Sequence, residues 1–516
     1  MTTAPVHDTG SNWSRAVWIV TAAAVIRAIF AALIPVFPDE AYYWEWSRRL
    51  AAGYFDHPPA IALLIRLGTS LLAPLGAGDT AFALRLGTLI AGWIASLATI
   101  AAARRLAGSA AALRAAWILA VMPLAAAGMV LATPDVPMLA GIAATLYCLV
   151  RALDAPAGSS RSTLWWTLAG GALGLAFVSK YTSIFLPVAV FATIAVRRDL
   201  RERLREPGPY IACVVATLVF SPVLAWNAGH GWISFLFQVR HGLAAPAGSR
   251  LLAAWRHEGD LLGGQAALAS PILFVLLALA AVRALSRGNR PIRAVLGAIA
   301  VLSFGFFVYS AVRQRVEPNW PSPSYIPAVI LLASAPLGVR AQRWFKAGTA
   351  LGALMCLVIY AQALAPILPL APPKDPIARA FGWDAAATAA DGAARVAAQS
   401  SHAVTWLGGD RYQEAAELAF HASDQPITFA TNLSGRVNQY DLWPRFADLA
   451  HAGDNLLLLL DETAGPHSTV RALAPYFGAA VRGPVVELRR GNGVVGRRRL
   501  WTLFGWRGGW PAAAGR

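Results

Sequence analysis

Residues 37–59 read FPDEAYYWEWSRRLAAGYFDHPP, with two adjacent acids, Asp39 and Glu40, seven aromatics, and an Asp-His pair at Asp56–His57. A carboxylate placed beside an acceptor hydroxyl can take its proton, and two acids together can also steady a developing positive charge. The string ATPDVP (132–137) offers a further acid, Asp135, in a loop stiffened by Pro134 and Pro137. Lys180 in FVSKYT, Arg240 and Arg313 are cations suited to a phosphate, arginine by its planar fork and lysine as a point charge. RVEPNWPSPSY (315–325) adds Glu317, Asn319 and Trp320. Tyr42 and Tyr43 suit an interfacial belt and equally suit stacking on a sugar ring or a lipid headgroup. Each motif alone also has a plainer reading. Pro38-Asp39 resembles a helix start with Asp39 as cap and Glu40 favourable to the dipole, ATPDVP is a simple turn, and each cation is one that snorkels to the headgroups.

The elements that must position these residues are membrane helices. The chain has 516 residues, 57% of them hydrophobic and 14% charged, too few ionisable groups to coat a soluble globule of that size. Apolar runs recur near the length that crosses a roughly 30 Å hydrocarbon core. Eleven spans are predicted, at 16–36, 83–103, 112–132, 136–152, 164–179, 181–196, 209–226, 262–283, 293–312, 323–338 and 347–369. Small residues in LWWTLAGGALGLAFVS predict that 164–179 and 181–196 form a tight helical pair. The short run 61–75, which carries Arg66, is read as an interfacial helix. The first run is long and lacks a small-residue cleavage site, so it is expected to stay as a helix.

With the N-terminus inside, 18 Lys and Arg fall in cytoplasmic breaks against 10 in the opposite loops. The net charge of +17 is mostly this asymmetry and implies no nucleic acid. Cys148, Cys213 and Cys356 all fall in predicted spans, which excludes a disulfide framework and a clustered thiolate metal site. From about 370 the texture changes to a small α/β domain with 15 Lys/Arg against 13 Asp/Glu, expected outside because the span count is odd. Its strings HAVTWLGG, RYQEAAELAFHA, PITFATN and NLLLLLDET alternate strand and helix, and VVELRR-GNGVVG-RRRLWTLFGW reads as a hairpin rather than a dinucleotide loop. The domains are therefore 1–369, a transmembrane domain with outer loops 37–82 and 132–136, and 370–516, an extracytoplasmic α/β domain.

Of the 14 Asp and Glu before residue 370, nine fall in loops predicted to face outside. Positive-inside sorting makes no such demand on acids, and a carboxylate at the hydrocarbon edge is costly unless paired or wet. Carboxylates, phosphate-sized cation clusters and aromatics together at that edge suggest chemistry on a lipid-linked phosphate.

PDEAYYWEWSRRLAAGYFDHPP, ATPDVP, FVSKYT and EPNWP, in this order over residues 15–340, resemble the bacterial family 39/83 glycosyltransferases. These are relatives, of GT-C fold, of protein O-mannosyltransferases and of the lipid A aminoarabinose and galacturonic acid transferases. The resemblance implies inverting transfer from a polyprenyl-phosphate sugar at the outer face of the bacterial inner membrane, onto lipid A, another glycolipid, a glycan or a protein. It implies Asp39 as the catalytic or acceptor-orienting carboxylate, with Glu40 and Asp135 in the same machinery. Lys180, Arg240 and Arg313 are then donor phosphate ligands, and Tyr42, Tyr43, His57, Glu317, Asn319 and Trp320 are substrate contacts. No cofactor is predicted, and the paired acids leave a divalent cation open. Two other classes stay open: a polytopic transporter or lipid flippase, and a noncatalytic assembly protein whose tail binds a partner.

Overall fold

The computed structural model describes residues 10–242, 250–286, 288–433, 435–464 and 468–511. In chain order its first helices are α1 (Gly10–Leu33), α2 (Pro38–Arg48), α3 (Ala60–Leu72), α4 (Ala81–Ala107), α5 (Ser109–Val121), α6 (Pro123–Gly128), α7 (Asp135–Asp154) and α8 (Ser160–Ser179). Then come α9 (Phe185–Val196), α10 (Gly208–Gly229), α11 (Ile233–Gly242), α12 (Arg250–Ala269), α13 (Pro271–Ala284), α14 (Pro291–Ala311), α15 (Tyr325–Ala333) and α16 (Val339–Leu364). The chain divides into two compact units. The first is Met1–Ala31, His57–Gly68 and Arg85–Tyr360, and the second is Ala32–Asp56, Thr69–Leu84 and Ala361–Arg516.

Among the described residues seven helices are long and apolar enough to cross a bilayer: α1, α4, α7, α8, α10, α14 and α16. The other four of the eleven predicted spans differ, each for a local reason. The run 112–132 breaks at Met122, because Pro123 has no N–H to continue α5 and starts α6 instead. The run 262–283 is bent by 102° between α12 and α13, where Ser270 adopts φ 66° and its hydroxyl accepts from the Leu273 N–H. Counted as one span, this bent pair makes eight. Tyr181–Val196 and Ser322–Ala333 are apolar but short, as is the predicted interfacial stretch, Ala60–Leu75.

The core of the first unit is rich in alanine, and close approach of backbones holds it together. A Cβ on Gly170 of α8 would lie 2.4 Å from the Ala212 carbonyl of α10, and one on Gly141 of α7 would meet Ala176 of α8 at 2.8 Å. The small residues of α8 therefore seat α7 and α10, a correction to the expected pairing with the helix that follows. Arg27, within α1, is buried and donates to the Leu119 carbonyl at 2.7 Å.

The second unit contains α2 together with α17 (Trp383–Ser401), α18 (Tyr412–His421) and five strands: β1 (Thr405–Gly409), β2 (Thr428–Ala430), β3 (Asn455–Asp461), β4 (Phe477–Arg490) and β5 (Gly493–Trp506). Strand order is β2-β1-β3-β5-β4, parallel from β2 to β3 and antiparallel from β3 to β4. The unbroken leucines of β3 reflect burial on both faces. Leu457 and Leu459 pack with Trp383 and Leu418, and Leu456, Leu458 and Leu460 pack with Phe446 and Phe477. GNGVVG is a hairpin turn as read, with Gly491 at φ 56°. The helix α2 packs on α18 through Trp44 against Phe420, ring centroids 5.1 Å apart, and Arg48 donates to the Gln425 carbonyl at 2.7 Å.

Candidate active site

In the first unit three of the four quoted motifs meet on one carboxylate. Asp135 opens α7, where the helix N-terminus favours negative charge. Lys180 stands where α8 ends, in extended conformation with its N–H on the Ala176 carbonyl. Its Nζ lies 2.9 and 3.0 Å from Oδ1 and Oδ2 of Asp135. From the turn before α15, Asn319 Nδ2 donates to Oδ2 at 2.9 Å and the Ser322 hydroxyl to Oδ1 at 3.1 Å. Every lone-pair direction of a buried carboxylate is thus served by a donor, one of them charged, which is what keeps such an anion tolerable away from water. An apolar cavity of about 160 Å³ adjoins the group, lined by Asp135, Asn319 and Ser322 with Met129, Leu139 and Tyr325.

Lys180 is therefore ion-paired rather than an isolated cation, although an ammonium has three donors and keeps one beyond the two that face Asp135. The remaining predicted residues of this unit do not bond to the Asp135 group among the described contacts. Arg313 lies over the Tyr309 ring at 5.1 Å, Arg240 is exposed on α11, and Glu317 is exposed. Trp320 packs near Phe307. His57 is half-buried.

The second unit holds the rest of the opening motif. Phe37, not Asp39, is the N-cap of α2 and offers no side-chain acceptor; Glu40 reaches back to accept the Phe37 N–H at 3.0 Å. The capping role read for Asp39 passes to Glu40, because Pro38 occupies the first helical position and moves Asp39 into the first turn. Asp39 Oδ1 instead accepts from the Tyr412 hydroxyl of α18 at 3.2 Å. Tyr42 is buried, and its hydroxyl donates to Asp56 Oδ2 at 2.7 Å while accepting the Gln439 N–H at 2.6 Å. Its ring neighbours Tyr412 at 4.4 Å and Tyr440 at 6.1 Å, so it serves packing and is not open to a sugar. Tyr43 is half-buried against Trp46. Arg436 meets Asp56 Oδ1 at 3.0 Å.

Burial dominates the electrostatics here. It pushes the Tyr412 phenol well up, with the Asp39 charge adding to the effect. Burial also raises the Asp56 carboxyl against the pull of Arg436, and it moves Glu417 of α18 from 4.5 to about 7 although His421 lies 3.2 Å away. Among the described residues no three His, Cys, Asp or Glu side chains gather as a metal-binding group.

Tyr412, Glu417, Arg436 and Gln439 were not assigned from sequence. Tyr412 and Glu417 lie in DRYQEAAELAF and Gln439 in NQYDLWP, with Arg436 two residues before that second string. Ser322 carried no signal.

Residues 56–226 match the family described as dolichyl-phosphate-mannose-protein mannosyltransferase. Over 295 residues, 57% of this chain and 59% of the relative, the sequence is 28% identical to lipid A galacturonosyltransferase RgtD of Rhizobium johnstonii. The match thus spans little more than half the length of that relative. Among solved structures, ArnT from Cupriavidus metallidurans bound to undecaprenyl phosphate superposes with TM-score 0.62 at 17% identity, covering 94% of this chain and 97% of that one. The oligosaccharyltransferase of Archaeoglobus fulgidus in its apo form gives TM-score 0.52 at 12% identity, covering 86% and 69%. At such identities the likeness to these structures is one of fold. The chain accordingly is similar to the mannosyltransferase family over residues 56–226 and has the GT-C fold of these solved structures, with seven helices, or eight counting the bent pair, long and apolar enough to cross a membrane among the described residues.

Proposed function

We propose that this protein is an inverting glycosyltransferase that moves a sugar from a polyprenyl-phosphate donor to an acceptor of the cell envelope, at the outer face of the inner membrane. The observation that carries the reading is the convergence of ATPDVP, FVSKYT and EPNWP on the Asp135 carboxylate beside an apolar cavity. Asp135 holds the Lys180 ammonium in place, and the remaining donor of Lys180 takes up charge on the departing phosphate. The anomeric carbon becomes oxocarbenium-like as that bond breaks.

Asp39 is the carboxylate that removes the acceptor hydroxyl's proton, positioned by the Tyr412 hydroxyl. The undecaprenyl phosphate held by ArnT supports a polyprenyl donor, and the name of the Rhizobium relative supports a lipid A-type glycolipid as acceptor. Cation sorting supports an outward-facing site and tail.

The test is Asp39→Asn. Glu40 makes the cap bond to Phe37, so the substitution leaves the helix start intact. Transfer from a polyprenyl-phosphate sugar by the purified variant is expected to fall by roughly 10² to 10⁴, the usual contribution of a positioned base. Activity within about threefold of the parent, an effect under about 0.7 kcal/mol, removes Asp39 from the reaction.

A further inference from the structure

Arg27 lies inside the membrane helix α1, is 3% exposed and, among the described residues, makes no ion pair. A charge at such depth is costly and marks a place where the fold needs it. Its surroundings are a broken helix. α5 ends at Met122 because Pro123 follows. In an unbroken helix the Leu119 carbonyl would accept the N–H of residue 123, which proline lacks. Arg27 Nη2 supplies the missing donor at 2.7 Å. Its Nη1 reaches the Met129 thioether, just beyond α6, at 3.6 Å. One planar fork thus spans both sides of the break, which a single ammonium could not do.

Helix α16 supports the same break. The Cys356 thiol donates to the Val121 carbonyl at 3.2 Å, and the Tyr360 hydroxyl donates to the Ala126 carbonyl at 3.3 Å. A Cβ on Gly352 would lie 2.6 Å from that Val121 oxygen, so α16 approaches the break backbone to backbone. Tyr360 also stacks on Phe30 of α1, ring centroids 4.1 Å apart. Irregular backbone at membrane depth survives where protein covers it or where it lines a cavity. Here both hold. Leu119, Met122 and Met129 belong to the wall of the cavity of about 160 Å³ that Asp135 and Asn319 also line. Both ends of the Arg27 fork therefore land on wall residues of that cavity.

We propose that Arg27 is a positioning residue: it fixes the broken span α5–α6 as the cavity wall and so sets how tightly the donor is held. The link to the donor rests on the proposed function, which places the donor's apolar part beside the Lys180–Asp135 pair; the hold on the break does not.

The experiment compares the detergent-purified full chain with its Arg27→Met variant by two readouts. The first is transfer with the polyprenyl-phosphate sugar titrated. Donor KM is expected to rise roughly tenfold with kcat within about threefold of the parent, as when a contact made alike in ground and transition states is lost. The second needs no activity. N-ethylmaleimide labelling read by peptide mass spectrometry should modify Cys356 roughly tenfold faster in the variant, because the break that it bonds opens locally, while buried Cys148 labels as in the parent. Arg27→Gln, able to reach one side of the break only, replaces Arg27→Met if that variant does not fold. Pro123→Ala added to Arg27→Met gives the Leu119 carbonyl a backbone donor; it should restore the melting temperature but not the KM, since a continuous helix takes the wall residues elsewhere. If the parent transfers nothing, the proposed reaction is wrong, and labelling decides whether Arg27 holds the break. The proposal is overturned by unchanged Cys356 labelling, by a donor KM within about threefold of the parent's, or by full recovery of KM in the double variant, which would reduce Arg27 to a donor for one carbonyl.

Discussion

The ion pair between Lys180 and Asp135 is tight and buried, with side chains 9% and 12% exposed, and it lends itself to a double-mutant cycle. Lys180→Met keeps the bulk of the stem but strands the Asp135 carboxylate with two neutral donors, Asn319 and Ser322. Removing one partner of a buried pair costs about 3–5 kcal/mol. The two remaining hydrogen bonds place this case at the lower end, about 3 kcal/mol of stability, which the melts read; loss of the Lys180 donor to the departing phosphate should separately lower kcat/KM by roughly a hundredfold. Asp135→Asn strands the ammonium instead and should cost a similar amount. In the double variant no charge is left uncompensated. If the two side chains act as one unit, the double should lose about as much as either single, giving a coupling energy of roughly 2–3 kcal/mol. The assay is transfer from a polyprenyl-phosphate sugar by purified variants, with thermal melts to show that each is folded. A double variant slower by the product of the two single effects, about 10⁴, would refute the argument, since Lys180 and Asp135 would then act separately.

Tyr412→Phe removes the hydroxyl that bonds Asp39 and should lower kcat by about three- to tenfold with little change in donor KM, measured in the same assay. Burial holds Glu417 protonated up to about 7, against 4.5 for a solvated glutamate. Between those values the unfolded chain releases the proton and the folded one keeps it. Stability is therefore full below about pH 4.5 and declines as pH rises to 7, by about 3 kcal/mol. Melting curves of Glu417→Gln against pH should lack this decline, and an unchanged slope would remove Glu417 as its source. A reporter enzyme fused after Pro376 should be active only on the extracytoplasmic side; activity confined to the cytoplasm would reverse the orientation.

What could be read from the chain alone was whatever a local physical rule decides. Hydrophobic run length located α1, α4, α7, α8, α10, α14 and α16, because a bilayer imposes nearly the same length on every crossing. NLLLLLDET announced the strand β3, and GNGVVG announced the turn between β4 and β5. Asp135 and Lys180 were recognisable as polar residues in costly places, each at the end of an apolar run, and Asn319 as part of the loop RVEPNWPSPSY. That they share one carboxylate was not, for 45 residues separate the first two and 184 separate Asp135 from Asn319, and no periodicity spans such distances. Rules at helix starts misled where two residues competed: Asp39 and Glu40 both suit the first turn of α2, and only the geometry of the Phe37 N–H gives the bond to Glu40 and frees Asp39 for Tyr412. Tyr412, Arg436 and Gln439 acquire meaning only through α2 packed on α18, since a side chain's role depends on what lies across the interface, and that is set by the fold of the whole unit.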